Sequence, residues 1–256
     1  MKNSIDSEKI LILDFGSQYT QLIARRVREI GVFSEIVSHQ ISYKDILKYN
    51  PKGIILSGGP ESVYTKKILR IDSKILESNI PILGICYGMQ LIAQHFKGKV
   101  KTSNKSEFGA TKVKLNKGKI FKKILSKELN AWMSHGDKVT KLPKGFKRVA
   151  FSSNCSIAAI ENQKQKIYGL QFHPEVTHTE KGSKILEVFS KEICCCAGKW
   201  RSKNIVESLV EEIKLKVGNS KVLLGISGGV DSSVAAALLH KACLLYTSPS
   251  PRDIGP

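Results

Sequence analysis

The feature that most constrains the fold is the alternation of short apolar runs with amphipathic segments in the N-terminal part of the chain. Ile10–Leu13 is followed by the periodic segment Gln21–Val27, and then by the runs Ser34–Val37 and Gly53–Leu56. Short runs with little polar alternation are typical of strands buried on both faces. Because buried strands joined by crossover helices form parallel sheets, we predict an α/β fold: a mostly parallel open sheet with helices on both faces.

The pattern changes further along the chain. Between about residues 99 and 170, alternating segments such as Thr111–Leu115 and Arg148–Phe151 are separated by Gly, Asn and Pro turns. These segments predict short antiparallel strands added to the sheet. The later apolar run Lys221–Ile226 predicts another buried strand, followed by a helix over Val234–Leu239, and so indicates the start of a second, incomplete α/β unit.

Composition limits the partners and the compartment. The 256 residues include 41 basic and 22 acidic side chains, a net charge of +19, but the lysines are not interleaved with aromatic residues. We interpret them as solvated faces and expect no nucleic-acid partner.

The absence of a signal sequence or a run of about 18 apolar residues predicts a cytoplasmic protein with no membrane partner. The six cysteines contain no CxxC pair, which favours free thiols over disulfides or a zinc site.

The first catalytic candidate is Cys86. It lies where the apolar run Pro81–Ile85 turns into the helical segment Tyr87–Phe96, with a glycine two residues away on each side. This is the setting of a nucleophile elbow with cysteine in place of serine. The helix N-terminus would favour an anionic sulphur, and the amide of Tyr87 would point at an oxyanion. Taken alone, a cysteine of this kind is more often a buried structural residue, and only its context favours catalysis.

A base and its partner follow in a His-Pro-Glu segment. Proline after His173 favours an extended backbone, in which residues i and i+2 point the same way. Glu175 can then hold one ring nitrogen while the other faces Cys86, which is the logic of a catalytic triad. Upstream, a Gly-Gly-Pro turn offers the amide of Gly59 as a second oxyanion donor, although such a tripeptide by itself indicates only a turn.

A second motif follows the apolar run Lys221–Ile226. Consecutive amides, hydroxyls and a helix N-terminus predict a phosphate cradle, whereas a simple Gly-Ser turn that caps the helix is the alternative. The motif lacks the lysine of a Walker loop, so it does not indicate γ-phosphate hydrolysis. The candidate phosphate-binding residues are Ser227, Gly228, Gly229, Val230, Asp231, Ser232 and Ser233.

The segments Leu56–Ser62, Gly84–Gln90 and His173–Glu175 resemble class I glutamine amidotransferases, and the resemblance spans residues 10 to about 195. It implies a glutaminase that releases ammonia from glutamine without a cofactor. It also implies the role of each site residue. The catalytic triad is Cys86, His173 and Glu175; the oxyanion donors are Gly59 and Tyr87; the contacts to the α-amino acid end of glutamine are Gln90 and the loop residues Ser134, His135 and Asp137.

The segment Ser227–Ser233 resembles the pyrophosphate loop of N-type ATP pyrophosphatases, which implies that Asp231 is a Mg²⁺ ligand. A glutaminase followed by a pyrophosphatase is the order found in the GMP synthase family of purine biosynthesis, to which Asp14–Tyr19 and Trp132–Asp137 also point. The resemblance implies a carbon–nitrogen ligase with glutamine, ATP and XMP as partners and ATP and Mg²⁺ as cofactors. It allows a homodimer of the complete enzyme, and none is expected for this chain alone.

We therefore expect a glutamine amidotransferase domain at 1–196, a linker and helix at 197–220, the truncated start of a pyrophosphatase domain at 221–243, and a non-native tail at 244–256. Two alternatives remain. The first is a stand-alone glutaminase subunit of another class I amidotransferase, against which the phosphate motif argues. The second is a remnant that binds glutamine without turnover, against which the intact Cys, His and Glu argue.

Overall fold

The computed structural model describes residues 6–60, 62 and 69–243, with only the backbone at 103–106. They fall into two compact units, one formed by Asp6–Lys199 and one that contains Trp200–Cys243. The predicted tail at 244–256 lies outside the described residues. Within the described part, no helix has the length and apolarity needed to cross a bilayer.

The first half of the larger unit follows the predicted alternation of strands and helices. Its strands are β1 (Lys9–Asp14), β2 (Phe33–Ser38), β3 (Gly53–Leu56) and β4 (Ile82–Ile85). Its helices are α1 (Thr20–Glu29), α2 (Tyr43–Tyr49), α3 (Ser73–Leu76) and α4 (Tyr87–His95). Every residue of β3 and β4 is buried, which explains why their sequences show no polar alternation.

The second half of this unit is richer in strands. They are β5 (Lys99–Leu115), β6 (Glu128–Lys141), β7 (Lys147–Phe151), β8 (Ala159–Asn162) and β9 (Ile167–Leu170). A 3₁₀ turn at Lys119–Phe121 follows β5, and α5 (Gly182–Glu187) leads into a π-helical turn at Val188–Ile193. The prediction of short strands is wrong for β5 and β6, which form a long antiparallel pair.

All nine strands form one sheet in the order β2-β1-β3-β4-β9-β8-β7-β5-β6. The pairings from β2 to β9 are parallel and those from β9 to β6 are antiparallel. This arrangement confirms the predicted α/β class and the antiparallel additions. Parallel strands end at the same edge of a sheet, so the segments that follow β1, β3, β4 and β9 meet there.

Two local predictions are wrong. Ser134–Asp137 lies within β6 rather than in a loop, where His135 and Asp137 occupy the inward positions of an alternating strand. Lys221–Ile226 forms no strand among the described residues, and Leu223 is 100% exposed. An apolar run becomes a strand only where other strands can pair with its backbone, and the described residues of the second unit contain none.

The second unit consists of α6 (Ser202–Val217) and α7 (Val230–Ala242), which pack against each other. Neither helix contains a buried residue. Helix α7 begins at Val230, earlier than predicted, so Asp231 and the serines after it lie in the first turn of the helix.

Candidate active site

Cys86 occupies a strained turn between β4 and α4. Its backbone angles are φ 51° and ψ −105°, and its amide donates to the carbonyl of Leu170 at 2.7 Å. A non-glycine residue at positive φ costs about 1–3 kcal/mol and persists only where its surroundings enforce it. The flanking glycines allow the close packing that enforces the turn. A Cβ at Gly88 would lie 2.5 Å from the carbonyl oxygen of Leu56, and a Cβ at Gly84 would lie 2.5 Å from the backbone of Gly88. The sharp turn presents the sulphur at the edge of the sheet where the parallel strands end.

His173 and Glu175 follow β9, the neighbouring strand. Nδ1 of His173 lies 2.7 Å from Oε1 of Glu175, and both side chains are buried. The other ring nitrogen faces Cys86. Burial alone would lower the pKa of His173, but the hydrogen bonds with Cys86 and Glu175 outweigh it and raise the pKa to about 10. The direction of this shift favours the protonated form of the imidazole.

The backbone of the His-Pro-Glu segment is fixed by residues of β6 and α1 and by a residue further along the same connection between β9 and α5. The amide of His173 donates to the carbonyl of Trp132 at 3.0 Å, and its carbonyl accepts from Oγ1 of Thr179 at 2.6 Å. Nε of Arg26 donates to the carbonyl of Glu175 at 3.0 Å. The edge of the Tyr19 ring packs on the imidazole, with the ring centroids 5.2 Å apart. These contacts leave the imidazole little freedom to turn away from the sulphur.

Two cavities of about 330 and 260 Å³ meet at Cys86 and Gly59. The larger cavity is lined by the predicted oxyanion and glutamine-contact residues Gly59, Tyr87, Gln90, Ser134, His135 and Asp137. The smaller one is lined by His173 and by Gly16–Tyr19, which follow β1. The structure thus gathers the sequence-predicted residues of the first unit around one sulphur.

The polar groups of the larger cavity also bond to one another. The carbonyl of Ser134 lies 3.6 Å from Sγ of Cys86. Nε2 of Gln90 donates to the carbonyl of Asp137 at 3.0 Å, so this amide supports the cavity wall from α4. The Asp137 carboxylate accepts a hydrogen bond from the hydroxyl of Ser62. A ligand in the cavity would therefore meet a wall whose polar groups are already oriented.

Three further residues support this site and were not predicted from the sequence. Nε2 of Gln171 lies 3.7 Å from Sγ of Cys86, Glu107 lies 3.3 Å from His135, and Thr179 bonds to His173 as described above. Gln171 directly precedes the Phe-His-Pro-Glu sequence, so its position next to the motif could have identified it as a residue of the site. Glu107 is the strand partner of His135 across β5 and β6, so its position depends on a register that only the folded sheet defines.

The phosphate motif lies in the second unit. Gly228 has a φ of +82°, and a Cβ placed on it would meet nothing within 4 Å. Oγ of Ser227 lies 3.2 Å from Oγ of Ser232, and the hydroxyls of Ser232 and Ser233 donate to the carbonyl of Gly229 at 3.0 and 2.9 Å. The loop is open at the N-terminus of the 13-residue helix α7. Its exposed backbone fits a phosphate group.

Sequence comparison gives the relatives of the chain. The model of the family described as glutamine amidotransferase class-I matches residues 11–193, and that of NAD synthase matches residues 201–248. The chain is 50% identical over 242 residues to the glutamine-hydrolyzing GMP synthase of Macrococcus caseolyticus and 51% identical over 242 residues to that of Staphylococcus epidermidis. Each match covers 94% of this chain and 47% of the relative, so the chain spans about half the length of the curated relatives it matches.

Two solved structures are similar in fold to this chain. A Thermoplasma acidophilum protein named "putative gmp synthase subunit a protein" is 35% identical, with a TM-score of 0.67 over 73% of this chain and 94% of that chain. A glutamine amidotransferase from Thermotoga maritima, 20% identical with a TM-score of 0.55 over 92% of this chain and 96% of that chain, shares the fold. With a family model matched over most of its length, the chain belongs to the class I glutamine amidotransferase family.

Proposed function

We propose that the first unit hydrolyses the side-chain amide of glutamine, with Cys86 as nucleophile, His173 as acid and base, and Glu175 as the group that orients the imidazole. The observation that carries this proposal is the buried Cys86–His173–Glu175 array beside an open cavity. A protonated imidazole between a sulphur and a carboxylate is the arrangement that nucleophilic catalysis by cysteine requires.

The first half of the reaction breaks the carbon–nitrogen bond. The sulphur of Cys86, whose proton is held by His173, attacks the amide carbon of glutamine. The negative charge that develops on the oxygen is stabilised by the backbone amides of Gly59 and Tyr87. His173 gives its proton to the leaving nitrogen, so ammonia departs and a γ-glutamyl thioester remains. The raised pKa of His173 supports this step, because the proton is already on the ring at neutral pH.

The second half regenerates the sulphur. His173, now neutral, takes a proton from a water molecule as it attacks the thioester, and glutamate leaves. Glu175 holds the ring in the same orientation throughout. In this proposal Ser134, His135 and Asp137, with Gln90 behind them, contact the α-amino acid end of glutamine, since they form the wall of the cavity that is open to a ligand.

In the complete protein, the proposed role of the ammonia is to aminate XMP to GMP. The half-length match to GMP synthases and the NAD synthase match at residues 201–248 support this over a stand-alone glutaminase. ATP would be held by the amides and hydroxyls of Ser227–Ser233, and Mg²⁺ by the exposed carboxylate of Asp231. When bound, ATP supplies adenylyl activation of a substrate oxygen, with release of pyrophosphate.

We place the protein in the cytoplasm. All six cysteines are free, and a reducing compartment keeps the proposed nucleophile out of disulfides.

Replacement of the proposed nucleophile tests the function. The 256-residue chain should release ammonia and glutamate from glutamine, and Cys86→Ala should reduce the rate at least about a thousandfold because it removes the sulphur that forms the proposed thioester. The matched control is Cys195→Ala, which removes an exposed thiol and should leave the rate unchanged. Release of ammonia by the Cys86→Ala chain at the parent rate would refute the proposal.

A further inference from the structure

A buried cluster of Glu107, His135 and Cys155 adjoins the cavity wall, to which His135 itself belongs. Glu107 in β5 is the strand partner of His135 in β6, and Cys155 belongs to the segment between β7 and β8. A carboxylate oxygen, a ring nitrogen and the sulphur all lie within 4.8 Å of one another. The three residues are only 5%, 4% and 0% exposed, so they form a compact and enclosed set of potential ligand atoms.

The polar atoms of this cluster do not satisfy one another. Oε2 of Glu107 lies 3.3 Å from Nε2 of His135, yet neither atom has an aligned hydrogen-bond partner among the described residues. Nδ1 of His135 likewise has no hydrogen bond of good geometry within the described part of the chain, although the backbone of Asp137 lies close to the ring. A buried polar atom left in this state costs about 1–3 kcal/mol. These atoms therefore have unused capacity to bind a ligand.

The other carboxylate oxygen is firmly held. Oγ of Ser152 donates to Oε1 of Glu107 at 3.1 Å, and the same hydroxyl accepts from the amide of Cys155 at 2.9 Å. A carboxylate anchored through one oxygen, with the other turned towards an imidazole and a thiol, is pre-oriented as a metal ligand.

The donor set indicates which ions would suit the cluster. Thiolate, imidazole and carboxylate are the ligands that Zn²⁺ takes in proteins. Burial lowers the pKa of His135, so the imidazole is neutral, as a metal ligand must be. Burial raises the pKa of Cys155 to about 12, so the thiol keeps its proton until a cation displaces it.

We propose that Glu107, His135 and Cys155 form a binding site for Zn²⁺ or a divalent cation of similar ligand preference. His135 also lines the cavity of about 330 Å³, so the proposed site adjoins that cavity. Because Ser134 precedes His135 and faces Cys86, a bound ion would fix the cavity wall beside the sulphur. The proposal concerns binding and does not depend on glutamine hydrolysis.

Cobalt is a suitable probe, since a thiolate bound to Co²⁺ gives a charge-transfer absorption that Zn²⁺ bleaches on displacement. The titration uses the full chain carrying Cys86→Ser, so that the sulphur of the proposed active site cannot contribute. We expect one equivalent of Co²⁺ to bind with this absorption. Adding Cys155→Ser should abolish the band, and adding Glu107→Gln should weaken binding at least about tenfold. Adding Cys195→Ser is the matched control and should change neither.

Three results would overturn the proposal. They are the absence of a charge-transfer band in the Cys86→Ser chain, a band that survives Cys155→Ser, and a band that is lost on Cys195→Ser. Circular dichroism accompanies each titration. If Cys155→Ser fails to fold, the near-isosteric Glu107→Gln decides, and unchanged cobalt affinity in that folded variant would contradict the site.

Discussion

Short apolar runs form buried strands in the first unit of the chain but not in the described part of the second. In the first unit, β3 and β4 pair with parallel neighbours and every residue in them is buried. In the second, the similar run Lys221–Ile226 forms no strand among the described residues, and Leu223 is fully exposed. The difference shows that apolarity specifies a strand only together with partners that satisfy its backbone.

The two units also differ in how they arrange their candidate functional residues. The first unit brings the ends of several parallel strands to one sulphur, so that residues far apart in sequence, such as Cys86 and His173, become a buried array. The second presents one loop, Ser227–Ser233, on the exposed end of one helix. The first unit therefore holds a packed core and a candidate site, whereas the second carries the predicted phosphate motif without a surrounding pocket in its described part.

The largest expected effect is a pH dependence of the stability of the first unit, which contains His173. The pKa of His173 is raised from 6.5 to about 10, so its protonated form contributes stability that is fully present below pH 6.5 and is lost as pH rises towards 10. Hydrogen exchange of the β4 amides should therefore accelerate across this window, and the acceleration should be smaller in His173→Gln. An identical pH dependence in the two proteins would show that the imidazole is not stabilised by its partners.

The second effect compares two leucines. Leu83 in β4 is 0% exposed, and Leu83→Ala should destabilise the first unit by about 2–5 kcal/mol through the cavity that it leaves. Leu223→Ala should change stability by less than about 0.5 kcal/mol, because the side chain is exposed. Urea unfolding of both variants measures the difference. Equal losses would mean that the second unit has a core after all.

The third effect compares two glycines. A Cβ at Gly59 would lie 2.8 Å from the carbonyl oxygen of Phe15, so Gly59→Val must move the turn and its amide, and glutamine hydrolysis should fall roughly a hundredfold. At Gly225 a Cβ would meet nothing within 4 Å, so Gly225→Val should leave the rate unchanged. Comparable rates for both variants in a glutaminase assay would remove the Gly59 amide from the proposed oxyanion site.

The sequence predicted the parts of the fold and site that depend on local pattern. Strands β1, β3 and β4 are uninterrupted apolar runs, and Cys86 stands in a glycine-flanked strand-to-helix turn that can be recognised without a structure. Strand β6 was harder to predict. Buried and more exposed residues alternate along it as in other strands, but the buried positions include His135 and Asp137. Polar residues at inward positions interrupt the apolar alternation by which a strand is recognised in a sequence.

Other features could not be predicted because they depend on register and packing. Glu107 reaches His135 only because β5 and β6 pair in one particular register, with an irregularity between Thr102 and Glu107. Arg26 holds the His-Pro-Glu backbone from 149 residues away, and Thr179 holds it from a turn six residues further on; neither belongs to a motif. Such residues become visible only after the chain is folded.

The central claim is that Cys86 is the nucleophile of a glutamine site, and affinity labelling tests it most directly. A glutamine analogue with an electrophilic diazoketone in place of the amide should alkylate the 256-residue chain once, and peptide mass spectrometry should locate the label on Cys86. An excess of glutamine should slow the reaction, and Cys195, although exposed, should remain unmodified. A label on another cysteine, or alkylation of Cys86 at a rate that glutamine does not affect, would contradict the account.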